Sequence, residues 1–391
     1  MIVGCSSAKT PDPIGDPDGE KLIEEPIPEL RVGAERTEVY LSELEGKRVG
    51  IVGNQSSLIG STHLVDSLLS LGVDIKKVYS PEHGFRGDAD AGEHVKSGTD
   101  SKTGLPVVSL YGSNKKPTKE QLSGIDVIVF DIQDVGVRFY TYISTLHYVI
   151  EACGELDIPV ICLDRPNPNG HYVDGPVLEK AYESFVGMHE VPIVYGMTIG
   201  EYGKMIVGEG WTKADSCDYS VIACENYDHQ MRYSLPIPPS PNLRSDYSIA
   251  LYPSLCLLEA TTVTVGRGTD GPFERFGHPD FPASEFSFTP KPGYGSKNPK
   301  HNGILCHGYN LRDSVYLKLD QLDLSFILRA NGHLEGKLFV NREKFFNLLA
   351  GNGTLIKQLQ RRESEESIRA SWRPKLNKFM EIRSEYLLYE D

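Results

Sequence analysis

Short apolar segments and helical segments alternate along the chain from about residue 36, and this alternation restricts the fold more than any other feature. Apolar runs of strand length bury both faces in a parallel sheet, and parallel strands need a crossover between them, which is usually a helix. In the helical segment Tyr142–Leu156, apolar side chains recur at helical spacing. The predicted strands are Val49–Gly53, Ile75–Tyr79, Val107–Tyr111, Ile125–Asp131 and Val160–Asp164. The pattern predicts an α/β domain with a doubly wound, mostly parallel sheet.

The length of the chain, 391 residues, predicts two domains, since single hydrophobic cores stop growing at roughly 250–300 residues. The composition changes after Trp211, and the proline-rich segment Ser234–Asn242 is predicted to cross between the domains. We predict the α/β domain over residues 36–215 and a smaller α+β domain, closing the cleft, over residues 216–391. Residues 1–35 are predicted to form an acidic, disordered tether. The sequence leaves the oligomeric state open.

The first residues, Met1-Ile-Val-Gly-Cys-Ser-Ser7, resemble the end of a bacterial lipoprotein signal, in which apolar and small residues precede an acylated cysteine. The acidic, proline-rich stretch that follows fits a tether between a membrane and a folded domain. We therefore expect a lipid on Cys5, no other membrane contact, and a location in the periplasm or cell envelope. The alternative is a cysteine that lies near a disordered terminus by chance.

Several classes of function are disfavoured by composition and spacing. The formal net charge of −14 opposes binding to nucleic acid, because a phosphate-binding surface needs an excess of positive charge. The seven cysteines include no C-x-x-C pair, and the histidines match no known metal-ligand spacing. The motif Gly266-Arg-Gly-Thr-Asp-Gly271 matches a dinucleotide-binding pattern, but no βαβ unit surrounds it. We therefore expect neither a cofactor nor a metal.

Polar loops follow four of the predicted strands, at the edge of the sheet where ligands bind in open α/β folds. Asp, Asn and Gly are also common in turns, yet turn formation does not require the glutamate, glutamine, histidine and arginines found here. Because the carboxyl ends of parallel strands meet at one edge, we expect these side chains to surround one polar ligand. The residues concerned are Asn54, Glu82, His83, Asp131, Gln133, Arg138, Asp164, Arg165 and Asn167.

Carboxylates, amides, tyrosines and arginines without a nucleophilic serine motif fit carbohydrate chemistry better than acyl transfer. Glycoside cleavage needs a carboxylic acid that protonates the leaving oxygen and a second group that attacks or activates water. We predict Glu82 as the acid, because Pro81 and His83 flank it and would partly shield it from water. For the second group the sequence does not choose among Asp131, Asp134, Asp164 and Glu190.

Three arginines are candidates for binding an anionic substituent of such a sugar, namely Arg138, Arg165 and Arg267. A guanidinium can donate two parallel hydrogen bonds to one carboxylate, which suits this task. Each of the three could instead pair with a strand-end aspartate inside the fold.

Four strings, taken together, resemble one family, the exo-β-N-acetylmuramidases of peptidoglycan recycling, formerly catalogued as a domain of unknown function. The strings are SPEHGFRG (80–87), FDIQDVGVRFYTY (130–142), LDRPNPNG (163–170) and VGRGT (265–269). The resemblance covers nearly everything from about Arg36 to Asp391. It implies a Rossmann-like domain and a smaller domain with the cleft between them. It also implies removal of terminal N-acetylmuramic acid from the non-reducing ends of peptidoglycan fragments.

The resemblance assigns roles to positions of this sequence. It implies that Glu82 is catalytic, and we predict His83 and Asp131 as its catalytic neighbours. The lactyl carboxylate of muramic acid would give the arginines a ligand. The residues predicted to bind the substrate are Asn54, Gln133, Arg138, Tyr142, Asp164, Arg165, Asn167, Glu190, Tyr195, Asn242, Glu259 and Arg267.

Two other functions remain open, because relatives that share a fold can differ in substrate by a few loop residues. One is a lipoprotein that binds muropeptides without cleaving them. The other is a metal-dependent peptidoglycan hydrolase or amidase. Whether the glycosidic configuration is retained or inverted depends on a carboxylate separation that a sequence does not contain.

Overall fold

The structure, a computed structural model, describes residues 29–82, 84–86, 97–334 and 340–391. Its strands are β1 (Val49–Gly53), β2 (Leu58–Ile59), β3 (Thr62–His63), β4 (Ile75–Ser80), β5 (Gly98–Thr99), β6 (Pro106–Ser109), β7 (Val127–Asp131), β8 (Val160–Leu163), β9 (Tyr219–Ile222), β10 (Arg275–His278), β11 (Ser287–Phe288) and β12 (Cys306–Asn310). Its α-helices are α1 (Thr37–Leu44), α2 (Leu64–Ser70), α3 (Lys119–Leu122), α4 (Tyr142–Gly154), α5 (Ile199–Gly208), α6 (Asp246–Leu255), α7 (Ser325–His333), α8 (Glu343–Ala350), α9 (Leu355–Gln360) and α10 (Glu365–Ser384). Short 3-10 helices span Gly33–Glu35, Lys180–Tyr182, Cys256–Ala260 and Ser314–Lys318.

The central sheet has seven described strands in the order β5-β6-β4-β1-β7-β8-β9. All neighbouring strands are parallel except β5 and β6. The chain builds one side from β1 through β4 to β6, returns beside β1 with β7, and continues outward to β9. The six parallel strands therefore have the order of a Rossmann fold, with β1 and β7 where the direction of winding reverses. The predicted doubly wound α/β fold is confirmed, and its ligand crevice is expected at the carboxyl ends of the central strands.

The central strands are apolar because helices cover both faces of the sheet. Every residue of β1 and of β7 is buried. Packing across β1 is so close that a Cβ atom on Gly50 would lie 2.6 Å from Cδ1 of Ile128 and 2.9 Å from Cε2 of Tyr79. A glycine at this position thus lets side chains of the two neighbouring strands cover β1.

The predicted helix over Tyr142–Leu156 is observed as α4, which ends at Gly154. Its apolar stripe is buried, with Ile143, Leu146 and Ile150 each at most 1% exposed. Helix α4 packs beside α5, which begins with the capping residue Thr198. The loop between β7 and α4 is thereby held over the carboxyl edge of the sheet.

The second unit is smaller and has a different architecture. It contains an antiparallel sheet of order β10-β12-β11 together with α6 to α10. Phe276 on β10 packs against Tyr309 and Phe326, with ring centroids 5.0 and 5.7 Å apart. Phe276 also belongs to the same hydrophobic cluster as Val52 of β1, so the two units share one continuous core. The smaller α+β unit is as predicted.

The predicted limits of the first unit need correction at both ends. Strand β9 lies in the central sheet, beyond the boundary at residue 215, and its mixed burial explains why the sequence pattern did not reveal it. Residues 32–34, predicted to belong to the tether, are buried: Ala34 is fully buried, and the amide of Gly33 donates to the carbonyl of Asp164. The rest of the predicted tether, with Cys5, lies outside the described residues. Within the described ranges, no helix has the length and hydropathy required to cross a bilayer.

Candidate active site

A cavity of about 290 Å³ lies at the carboxyl edge of the central sheet and is closed by the second unit. Its wall combines two carboxylates and an arginine with many aromatic rings. From the first unit it is lined by Glu82, Tyr111, Phe139, Tyr140, Thr141, Tyr142, Phe185 and Val186. From the proline-rich connection and the second unit it is lined by Ser240, Asn242, Leu243, Tyr252, Cys256, Glu259, Arg267, Phe273, Phe345 and Leu349.

Glu82 enters the cavity from the loop after β4, where it is half-buried. Strands β4 and β6 are paired in parallel with Ser80 opposite Ser109, so the residues two positions further on, Glu82 and Tyr111, come together. The hydroxyl of Tyr111 donates to Oε1 of Glu82 over 2.9 Å. Burial, and then the charge of Glu82, raise the pKa of Tyr111, so this hydroxyl keeps its proton. Tyr111 therefore fixes the orientation of the Glu82 carboxyl group.

Two tyrosines at the start of α4 form the adjoining wall. The rings of Tyr140 and Tyr142 meet edge to face, with centroids 4.9 Å apart. Asn54, directly after β1, donates from Nδ2 to the hydroxyl of Tyr142 over 3.0 Å, and Tyr140 donates to the carbonyl of Pro239 over 2.9 Å. Asn54 is itself fully buried and does not line the cavity. It supports Tyr142, which is predicted to bind the substrate and lines the cavity.

The second unit contributes an ion pair. Glu259 lies in the 3-10 helix Cys256–Ala260, and Nε of Arg267 donates to its Oε2 over 2.9 Å. The guanidinium of Arg267 also lies 5.0 Å from the ring centroid of Phe273. Lys300 fastens this segment by donating to four backbone carbonyls between residues 258 and 263, and burial lowers its pKa to about 8. This end of the cavity therefore presents one guanidinium, that of Arg267, beside the carboxylate of Glu259.

The glycine-rich motif around Arg267 forms a tight loop. Gly266 and Gly268 both have positive φ, at +79° and +78°, and the loop leads into strand β10 and not into a helix. A dinucleotide site needs a helix N-terminus at this point, so the pattern has no such function here.

Asp131 does not line the cavity, in contrast to its predicted catalytic role. Its side chain is fully buried and accepts hydrogen bonds from Nε and Nη2 of Arg165 over 2.5 and 2.9 Å. Arg165 also donates to the carbonyl of Leu58. Asp131 was predicted to be catalytic and Arg165 to bind the substrate, but their charged groups pair with each other below the cavity. This pairing is the alternative stated above for the arginines.

Three more of the strand-end residues bind protein atoms. Asp164 accepts from the hydroxyls of Thr198 and Tyr389, and its burial raises its pKa to about 6. Gln133 donates to the carbonyls of residues 134 and 166, and Asn167 donates to the carbonyl of residue 197. These three side chains join loops below the cavity and do not line it.

The remaining predicted residues are also placed outside the cavity lining. Arg138 is fully buried and donates to the carbonyls of Pro176, Val191 and Leu349, and burial lowers its pKa to about 9. Tyr195 donates to Asp134, whose burial raises its pKa to about 6. Glu190 is exposed and lies in a different groove. His83 lies outside the described residues.

Asn242, which is predicted to bind the substrate, lines the cavity and donates from Nδ2 to the carbonyl of Gly295 over 2.8 Å. Together with Glu82, Tyr142, Glu259 and Arg267, it completes the set of predicted residues that the structure brings to one cavity. Among the residues that the structure describes, no group of three or more His, Cys, Asp or Glu side chains is arranged to hold a metal ion.

Two family models match nearly the whole described chain. One, Exo-beta-N-acetylmuramidase NamZ, N-terminal, matches residues 49–247, and the other, Exo-beta-N-acetylmuramidase NamZ, C-terminal, matches residues 250–389. The chain belongs to the exo-β-N-acetylmuramidase NamZ family. The peptidoglycan β-N-acetylmuramidase NamZ of Bacillus subtilis is 39% identical to it over 370 residues, which cover 90% of this chain and 89% of the relative.

Two solved structures of DUF1343 family proteins from Bacteroides fragilis share the fold of this NamZ family member. The first, a crystal structure at 1.30 Å resolution, is 42% identical with a TM-score of 0.86, over 93% of this chain and all of that one. The second, at 1.65 Å, is 28% identical with a TM-score of 0.78, over 92% of this chain and 99% of that one. The predicted family and the predicted class, a glycoside hydrolase, are confirmed.

Several aromatic residues that line the cavity were not predicted from the sequence. Tyr111 had a detectable signal, because it ends the predicted strand Val107–Tyr111 and so lies at the same sheet edge as Glu82. Tyr140 lies within the 130–142 motif but was not among the predicted site residues. Tyr252 and Phe273 reach the cavity from the second unit, and no local pattern distinguishes them from ordinary core residues.

Proposed function

We propose that this chain removes N-acetylmuramic acid from the non-reducing ends of peptidoglycan fragments, with Glu82 as general acid. The proposal rests on one observation: a single cavity contains Glu82, bound to Tyr111 in the first unit, and the Glu259–Arg267 pair of the second unit. The B. subtilis relative bears the name of a peptidoglycan β-N-acetylmuramidase, which agrees with this substrate.

In this proposal Glu82 donates its proton to the glycosidic oxygen as the bond from that oxygen to the anomeric carbon breaks. Water adds to the anomeric carbon, and the proton lost by the water restores the protonated carboxyl group. Tyr111 holds the Glu82 carboxyl group in one orientation through its 2.9 Å hydrogen bond. Glu259, the other carboxylate among the described cavity-lining residues, is the candidate for the second group of the reaction.

Arg267 is the candidate for binding the lactyl carboxylate of muramic acid. Its hydrogen bond to Glu259 uses Nε, and in this proposal its two terminal nitrogens donate to the lactyl carboxylate. The guanidinium of Arg267 is the positive charge among the described residues that line the cavity. Positive charge there favours an anionic sugar over a neutral one.

A chromogenic β-N-acetylmuraminide tests the proposal. The wild type should release the chromophore, and Glu82→Gln should lower kcat by at least about a hundredfold, because a general acid contributes about 10²–10⁴-fold. The matched control is Glu366→Gln, the same change at an exposed position on α10, which should keep full activity.

Other outcomes support the alternative functions. Tight binding of muropeptides without release of chromophore would identify a binding protein. Activity that a chelator abolishes would identify a metal-dependent hydrolase. Activity that persists in Glu82→Gln would remove this residue from the role of acid.

We also propose that a lipid on Cys5 anchors the protein in the cell envelope. The support is the sequence of residues 1–7 and the acidic, proline-rich segment after it. Metabolic labelling with a fatty acid should mark the wild type, and Cys5→Ser should lose the label and leave the membrane fraction. An unlabelled wild type would refute the anchor.

A further inference from the structure

A tyrosine near the cavity has no part in the chemistry described so far. Tyr294 is 64% exposed, the largest fraction for any large hydrophobic side chain in the described part of the chain. Single exposed hydrophobic residues are common on protein surfaces, so exposure alone indicates no function. The backbone of Tyr294, however, is tied on both sides to residues of the cavity wall.

Tyr294 and Gly295 form the tip of a tight turn, in which Gly293 and Ser296 exchange backbone hydrogen bonds of 3.0 and 3.1 Å. Gly295 has a φ of +84°, which a residue with a side chain adopts at a cost. Its carbonyl accepts the 2.8 Å hydrogen bond from Asn242, which lines the cavity. One side of the turn is therefore fixed to the wall.

The other side of the turn is fixed to the loop of Arg267. The amide of Lys291 donates to the carbonyl of Gly268 over 2.8 Å. A Cβ atom on Gly268 would lie 2.5 Å from the carbonyl oxygen of Lys291, so the two segments are in close contact. Residues 291–296 thus run between Asn242 and the loop of Arg267, two parts of the cavity wall, and Tyr294 lies beside that wall.

The ring of Tyr294 is held in one orientation by Arg244. The guanidinium lies 5.1 Å from the ring centroid, and the same side chain donates to the carbonyls of Tyr294 and Pro241. Because Arg244 lies over one face of the ring, the large exposed fraction of Tyr294 is assigned to the opposite face. A ring that is already ordered loses little conformational entropy when a ligand covers it.

We propose that Tyr294 stacks against the sugar on the leaving-group side of the scissile bond. A cavity of about 290 Å³ is at the small end of the range for ligand sites, so the terminal sugar fills it and the next sugar lies at the rim. The C–H face of a pyranose is apolar and matches the exposed face of a tyrosine ring. This inference rests on the proposed function and extends it to a second sugar.

Two substrates with the same terminal sugar separate this role from any effect on the cavity. One is the disaccharide N-acetylmuramyl-β-1,4-N-acetylglucosamine, and the other is the β-fluoride of N-acetylmuramic acid, whose leaving group has no ring to stack. Tyr294→Ala should lower kcat/KM for the disaccharide about tenfold, equivalent to about 1.4 kcal/mol, and should leave the fluoride unchanged. Tyr294→Phe, which keeps the ring, should behave as the wild type with both substrates.

The remaining outcomes contradict the inference. Equal losses with both substrates would mean that Tyr294 acts on the cavity itself, and no loss with the disaccharide would mean that the leaving sugar lies elsewhere. If the wild type cleaves neither substrate, the proposed function fails, and this inference fails with it. Wild-type cleavage of both substrates without any effect of Tyr294→Ala would overturn the inference alone.

Discussion

The pair formed by Asp131 and Arg165 offers a direct test of which motif residues serve the fold and which serve catalysis. The side chains are 0% and 4% exposed and share two hydrogen bonds, of 2.5 and 2.9 Å. Asp131→Asn keeps the size of the side chain but removes its charge, so Arg165 becomes a buried cation without a counter-ion. Breaking a buried pair in this way costs about 3–5 kcal/mol.

This cost can be converted into a melting temperature. An unfolding entropy of about 2.1 cal/mol/K per residue gives about 0.8 kcal/mol/K for 391 residues that unfold as one unit. The midpoint of thermal unfolding, followed by circular dichroism, should therefore fall by about 4–6 °C in Asp131→Asn. The matched control is Asp126→Asn, which breaks the pair with Arg48, whose side chains are 37% and 50% exposed. This exposed pair should contribute about 0.2–1 kcal/mol and shift the midpoint by about 1 °C or less.

A double variant strengthens the test. Asp131→Leu combined with Arg165→Met removes both charges, so it should cost less stability than Asp131→Asn alone. The reasoning is refuted if Asp131→Asn melts within about 1 °C of the wild type while its kcat falls as far as that of Glu82→Gln. That result would return Asp131 to the catalytic role that the sequence motif suggested.

Two further predictions concern a buried acid and the anion-binding arginine. Burial raises the pKa of Asp134 from about 4 to about 6, so its protonated form stabilises the fold below about pH 4 and this contribution is lost as the pH rises through 6. Asp134→Asn mimics the protonated form at every pH. The melting temperature of this variant minus that of the wild type should therefore be larger at pH 7 than at pH 4.5, and an equal difference at the two pH values would contradict this reasoning. Arg267→Lys should lower kcat/KM for the β-N-acetylmuraminide about tenfold or more. It should also change the ratio of this kcat/KM to the kcat/KM for a β-N-acetylglucosaminide, which lacks the lactyl group. Equal losses with the two substrates would argue against carboxylate binding.

The sheet could be predicted from the sequence because its signal is local. An apolar run such as Val127–Asp131 is buried on both faces wherever it lies in the sheet, and the helix after it repeats its apolar residues at a fixed spacing. Strand β9 lacks this signal, since Ser220 is exposed and Tyr219 only partly buried at the edge of the sheet. The sequence pattern of an edge strand is weaker than that of a central strand. The predicted domain boundary at residue 215 therefore excludes β9.

The candidate site could be predicted only in part, because the position of a residue after a strand does not fix the direction of its side chain. Glu82 turns into the cavity, whereas Asp131 turns into the interior to meet Arg165. Arg138 donates its hydrogen bonds to backbone carbonyls. Every residue has a backbone carbonyl, so the sequence does not reveal that these groups bind Arg138. The end of its predicted strand places Tyr111 at the same sheet edge as Glu82, but the sequence gives no strand order and so does not reveal that β6 lies beside β4.

The buried residues of the 130–142 motif explain how one string can be characteristic of a family without supplying the reacting groups. Asp131 binds Arg165 and Asp134 binds Tyr195, and together these contacts fix the loop that ends in the two tyrosines of the cavity wall. A displacement of about 1 Å at reacting groups can cost about a hundredfold in rate, so a rigid loop is itself a requirement of catalysis. Changes in the buried contacts should therefore lower stability and kcat together, whereas changes at Glu82 should lower kcat alone. The ratio of the two losses identifies, for each motif residue, whether it supports the cavity or acts within it.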